Sequence, residues 1–349
     1  MMKKIQLRIK GAILLPILLF ACDTKKENAV AEIQEEPLTT IAFGSCNRQD
    51  RDQPLWDPII SHQPDLFIWL GDNIYGDTDS MQVLKAKYEL QNSNPGYQRL
   101  KAQSPIIGIW DDHDFGRNDA GTEYPYKKES RDLMFEFLDL PKSNSAWNRE
   151  GAYNSFTYGP KGKQVKVILL DARYFRDSLM MEDRVYLPNE SGTVLGEEQW
   201  AWLENELKEN QAQVTLIGSG IQMLPRDHQF EKWANFPYER ERLLNMLKKH
   251  RVQGAILLSG DRHIAEISQI ELEGIEHPIY EVTSSGLTHT WREYREEPNS
   301  YRVGEMIAKL NFGIINLDWK EKEVNVTMEV RGREDSLFLT QNLRLPLSM

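Results

Sequence analysis

PIIGIWDDHDFGRND, residues 105 to 119, passes from an apolar run into four aspartates, a histidine, an arginine and an asparagine. A short continuous apolar run bounded by Pro and Asp is the pattern of a strand buried on both faces. Carboxylates packed directly behind it disfavour one another's ionisation unless an opposite charge is at hand. The stretch therefore reads as a buried strand that delivers acids to a cation. The same pattern recurs in TTIAFGSC (39 to 46), DLFIWLGD (65 to 72), VKVILLD (165 to 171), VTLIGSG (214 to 220) and GAILLSGD (254 to 261). Between these runs, residues 54 to 63, 80 to 92, 127 to 139, 196 to 209 and 237 to 250 have helical character. GEEQWAWLENELKEN spaces Trp200, Leu203 and Leu207 by three and four residues behind acids in its first turn, and PYERERLLNMLKKH opens on Pro237 and closes on Lys248, Lys249 and His250. This alternation predicts an α/β sandwich with helices covering the sheets. HPIYEVTSS, NFGIINLDW and EVNVTMEVRG predict an antiparallel continuation. No linker is evident between residues 39 and 349, which are expected to form one domain.

The 349 residues are 40% hydrophobic and 27% charged, an ordinary globular composition. Lys3, Lys4, Arg8 and Lys10 precede the short apolar run GAILLPILLFA, which ends at Cys22. That is the form of a secretory signal, too short for a comfortable membrane span. LFAC is similar to a lipoprotein cleavage box, so residues 1 to 21 are expected to be removed and Cys22 lipidated. Residues 22 to 38 would then tether the body to a lipid membrane. The expected location is exported and membrane-anchored, periplasmic or cell-surface. Losing four cations and no acids takes the net charge from −11 to −15. Nucleic acid is not expected as a partner, because its phosphates would be repelled. Bound metals could still reverse the local field for an anionic substrate.

Several apolar runs end in a side chain able to hold a metal: Cys46, Asp72, Asp112 with His113 and Asp114, Asp171, and Asp261 with His263. Each alone has an ordinary role, as a helix cap, a turn residue or a small buried hydrophobe. Their coincidence argues for a polynuclear centre, since the carboxyl ends of strands border the ligand crevice in open α/β sheets. Asp72 and Tyr75, three apart in GDNIY, would share a side if the turn is helical. Thiolate and phenolate suit a trivalent or soft ion; the aspartates and Asn118 suit a hard one. Arg173 in LDAR could pair with a phosphate or with an acid such as Asp171. His289 in SSGLTH is a further candidate for the pocket.

FGSCN, GDNIYG, WDDHD, LDAR and SGDRH, in this order over about residues 41 to 290, resemble the alkaline phosphatase D (PhoD-like) branch of the calcineurin-like metallophosphatases. The family's separate N-terminal β domain is not expected here. The resemblance implies a metallophosphatase-type sandwich of two mixed β-sheets flanked by helices. It further implies that Cys46, Asp72, Tyr75 and His263 hold ferric iron (Fe3+). Asp72 would bridge to calcium (Ca2+), with Asp112, Asp261 and Asn118 completing that second site. His113 would stabilise the phosphate or protonate the leaving oxygen, with Asp114 orienting its ring. Arg173 and His289 would contact substrate. The implied chemistry is phosphoester hydrolysis by in-line attack of a hydroxide activated by two metals. GxSxG is absent, and IGSGIQ lacks the lysine and spacing of a P-loop. A phosphodiesterase or phospholipase-like hydrolase is the alternative among enzymes. A non-catalytic binding lipoprotein is the alternative of another class.

Overall fold

Continuous apolar runs need cover on both faces, and the computed structural model gives each of them two covered faces. It describes residues 36–183, 185–291 and 295–347. The signal sequence, Cys22 and nearly all of the tether lie outside the described residues. The first sheet has six strands, in the order Leu337–Pro346, Glu323–Arg331, Phe312–Trp319, Thr40–Gly44, Leu66–Leu70 and Ile106–Ile109. The last three run parallel to one another, and the other neighbours pair antiparallel. The second sheet has seven, in the order Arg302–Ile307, Ala265–Ile270, Ile279–Ser284, Ala255–Ser259, Val214–Ser219, Val165–Leu170 and Asn154–Tyr158. Its four central strands are parallel and its outer pairings antiparallel. The fold is thus an α/β sandwich of two mixed sheets flanked by helices. The antiparallel continuation expected of the last third holds in the first sheet. In the second, Ile279–Ser284 instead pairs parallel with Ala255–Ser259 and antiparallel with Ala265–Ile270.

Strand periodicity assigns the two faces. Val167 and Leu169 join Leu70, Leu216 and Leu258 in an apolar cluster that draws on both sheets. Ile168 and Leu170 point the other way, into a cluster with Trp200, Leu203 and Leu207 of helix Gly196–Lys208 and Leu243 and Leu247 of helix Pro237–Lys249. On the first sheet, Phe67 and Trp69 meet Trp56 of helix Trp56–Ser61 with ring centroids 5.7 and 5.6 Å away, and Tyr97 of helix Pro95–Gln103 lies 5.6 Å from Trp69. Fully burying a side chain of this size is worth about 1.5–3 kcal/mol. The layers are held by such contacts, which leaves the strand ends free to carry polar chemistry.

Candidate metal centre and active site

The parallel strands of both sheets stop at one place. Cys46 follows Thr40–Gly44, Asp72 follows Leu66–Leu70, Asp111 and Asp112 follow Ile106–Ile109, and Asp261 and His263 follow Ala255–Ser259. Cys46, Asp72, Asp261 and His263 have φ of 56°, 49°, 64° and 54°. Non-glycine residues seldom occupy this left-handed region, and such strain concentrates where function requires a particular side-chain direction. Gly71, at φ 89°, makes the turn into Asp72 at no such cost.

Two donor sets meet at Asp72. Cys46, Asp72 and His263 each bring a ligand atom within 4.8 Å of the others. Tyr75 Oη joins them, 3.0 Å from Asp72 Oδ2 and 3.0 Å from His263 Nε2. Cys46 Sγ lies 3.3 Å from Asp72 Oδ2 and 3.0 Å from Ser285 Oγ. The second set is Asp111, Asp112 and Asp261, and Asp72 also converges with Asp112 and His113. Asp72 Oδ1 and Asp111 Oδ2 are buried and have no hydrogen-bond partner. Orphaned buried carboxylate oxygens are costly and are what a cation would satisfy. A sulfur, a phenol and an imidazole on one side face oxygen donors alone on the other. The residues present fit a pair of metal ions of unlike hardness.

Electrostatics point the same way. Burial, reinforced by Asp72, pushes the Cys46 thiol and the Tyr75 phenol well up. Burial also raises Asp72 and Asp111, outweighing His113 and Arg173 respectively, and with Asp112 it lifts Asp261 to about 7. Asp112 stays ionised at about 2, because Arg173, His113 and two backbone N–H donors overcome its burial. Without cations the cluster therefore keeps protons in their place. Burial opposes charge on His113, but Asp72, Asp112 and Asp77 push it up to about 11, making it an imidazolium. Burial lowers His263 to about 3 and His289 to about 4, leaving both neutral.

Some expected roles change. Asp114 does not orient His113: its carboxylate accepts the backbone N–H groups of Asp111, Asp72 and Asn73 at 2.7, 3.1 and 3.2 Å. The ring is held instead by Asp77, whose Oδ1 lies 2.6 Å from His113 Nδ1. Arg173 is fully buried, with Nε 2.6 Å from Asp111 and one terminal nitrogen 2.8 Å from Glu231. Asp171 accepts the backbone N–H of Arg173 and pairs with no part of its guanidinium. The other terminal nitrogen has no hydrogen-bond partner and faces Asp112 across a 4.0 Å ion pair. Arg173 thus clamps acids, which departs from the expected direct contact with substrate. Asn118 is exposed on the following loop, unlike the buried donors; its neighbour Asp119 donates a backbone N–H to Asp112 Oδ2 at 2.6 Å. His289 reaches the centre, its Nε2 3.0 Å from Tyr75 Oη. Asp111, Asp77, Glu231 and Ser285 were not singled out from the sequence. The doubled aspartate is the one signal for Asp111, and consecutive residues of an extended strand point to opposite faces, which hides it. The chain turns helical at Asp112 and brings both to one side.

A family model described as PhoD-like phosphatase matches residues 80–328. The match starts beyond Cys46, Asp72 and Tyr75, so the placement of those three rests on the geometry. Alkaline phosphatase D from Bacillus subtilis (strain 168) is 24% identical over 294 residues, which cover 71% of this chain and 49% of that protein. The chain spans about half the length of this curated relative. A solved structure of PhoD superposes with a TM-score of 0.69 at 18% identity, covering 88% of this chain and 72% of the other. At that identity the likeness is one of fold.

Proposed function

The chain belongs to the PhoD-like phosphatase family, and on that premise we propose that it is a metal-dependent phosphoester hydrolase. The observation that carries this reading is the meeting of a Cys46, Asp72, Tyr75 and His263 donor set with an Asp111, Asp112 and Asp261 set beside His113, whose ring is held by Asp77. The family resemblance favours Fe3+ at the set with the thiol and phenol and Ca2+ at the all-oxygen set, whose donors suit a hard cation. When bound, such a pair supplies Lewis acidity, an activated water and charge neutralisation at both oxygens of an in-line displacement. The chain's own residues do the rest. His113, its Nδ1 engaged by Asp77, keeps Nε2–H to donate to a phosphoryl or leaving oxygen. Arg173 fixes Asp111 and holds Glu231 beside it, and so sets the shape of the hard-ion site. Asp114 pins the backbone from which both Asp72 and Asp111 project.

Export by the N-terminal signal and anchoring through a lipid on Cys22 remain part of the proposal, supported by the charge and apolar pattern of residues 1 to 22. The test replaces Asp72, which converges with Cys46 and His263 on one side and with Asp112 and His113 on the other. Asp72→Asn is expected to lower the rate on p-nitrophenyl phosphate by about 100-fold or more and to lower bound metal in elemental analysis. Unchanged rate and metal content would refute the reading. Parallel turnover of bis-p-nitrophenyl phosphate separates monoester from diester preference, and diester turnover alone would make the protein a phosphodiesterase. Metal binding with no turnover of either would favour the non-catalytic binding protein.

A further inference from the structure

We propose that the cavity beside the metal centre is a subsite for the alcohol half of the phosphoester, selective for a planar aromatic ring that carries a hydrogen-bond acceptor. The inference rests on the phosphoester reading above. The cavity, about 930 Å³, has His263 and His289 at one end and His228, Phe230 and Trp291 in its wall. It therefore opens directly from the donor set. Trp291 lies with its ring centroid 5.3 Å from that of His263 and stacks on Phe230 at 5.5 Å and 27°. An aromatic wall thus runs outward from a candidate metal ligand. The Arg262 guanidinium sits 4.1 Å from the centroid of Phe230 and backs the wall with a cation. Trp291 remains 39% exposed, so the wall has ring surface to offer.

The second observation is independent of the stack. His228 is only 4% exposed, and its Nε2 is buried without a partner although the residue lines the cavity. Its Nδ1 accepts the backbone N–H of Phe230 at 3.3 Å. Burial and the nearby Arg262 and Lys232 keep the ring neutral, so its one proton is on Nε2. A buried donor without an acceptor needs one. An alkyl chain could cover the aromatic wall but would leave this N–H unmet. A flat ring bearing an acceptor satisfies both.

Binding of phosphonates, whose C–P bond is not a phosphoester, separates recognition from turnover. Calorimetry on the full chain with its metals would compare methyl-, hexyl-, phenyl- and 4-nitrophenylphosphonate. We expect 4-nitrophenylphosphonate to bind about 10-fold more tightly than hexylphosphonate, a preference lost in Trp291→Ala and kept in Trp291→Phe. In His228→Leu the advantage of the nitrophenyl over the phenyl compound should disappear. Equal or tighter binding of the hexyl compound, or a nitrophenyl preference that survives Trp291→Ala or His228→Leu, would overturn the proposal. Hydrolysis of p-nitrophenyl phosphate without an aryl preference in binding removes the subsite and leaves the phosphatase reading. An aryl preference with no hydrolysis removes the phosphatase reading and leaves the cavity an aryl-binding site without a leaving-group role. Failure to bind any of the four removes both.

Discussion

Arg173 shows how much a side chain's meaning depends on its neighbours. In the sequence it stands two positions beyond Asp171, free to serve a phosphate or an acid. In the fold it is sealed between Asp111 and Glu231, and Arg176 lies 3.2 Å from the same Glu231. A buried pair contributes little net stability, but removing one partner strands the other charge. Arg173→Met is therefore expected to lower unfolding free energy by about 3–5 kcal/mol in denaturant titrations, with loss of the hard-ion site. A variant of wild-type stability with only a raised KM would restore the direct phosphate role. The convergence was legible: Cys46, Asp72, Tyr75, Asp112, Asp261 and His263, named from strand ends and the turn after Asp72, come together. What could not be read was the shell behind them. Asp77, Glu231 and Ser285 are near in space only because loops from separate strands fold back on the centre. No spacing in the sequence encodes that proximity.

At the level of elements, legibility followed burial. The six apolar runs read as strands became six of the seven parallel strands of the two sheets. Three of the strands missed in the sequence, Asn154–Tyr158, Arg302–Ile307 and Leu337–Pro346, mix exposed and covered positions; Ala265–Ile270 was missed although its first four residues are buried and it pairs on both sides. Helix Pro95–Gln103 was missed for another reason. Asn-Pro-Gly has the composition of a turn, yet Asn94 caps the helix by accepting the N–H groups of Gly96 and Tyr97 at 2.9 and 3.1 Å, with Pro95 in the first turn. Strand ends from opposite sheets also have to approach closely, which constrains the residues just past them. A Cβ on Gly220 would lie 2.3 Å from Asp111 Oδ1, the oxygen held by Arg173. Gly220→Ala must push that carboxylate off its arginine. The expected result is a stability loss of about 1–3 kcal/mol, together with reduced metal in the Asp111, Asp112 and Asp261 set. A fully loaded, fully active alanine variant would show that Asp111 need not stay where Arg173 holds it.

Across the whole molecule a metal held at the centre would act as a cross-link, because the candidate donors come from both sheets: Cys46, Asp72, Asp111 and Asp112 from the first, Asp261 and His263 from the second. Binding that favours the folded state stabilises it by mass action, about 2.7 kcal/mol at 100 times Kd and 4.1 at 1,000 times. Chelation should therefore lower the melting temperature, and the size of the drop should depend on pH. In the metal-free protein Asp261 and Asp114 are lifted to about 7, chiefly by burial, from an unfolded value of 3.8. Between those limits the folded state binds more protons than the unfolded one, so stability attributable to these groups is present at low pH and is lost as pH rises toward 7. Metal binding has the opposite slope, since it requires Asp261 and the other donors deprotonated and strengthens as protons leave. The gap in melting temperature between metal-loaded and chelated protein is thus expected to widen from pH 5 to pH 8, and to shrink in Asp72→Asn. Scanning calorimetry across that range decides the matter. A gap that stays constant or narrows with rising pH would mean that protons and metals do not compete for these carboxylates, and that the two sheets close on each other without a cation between them.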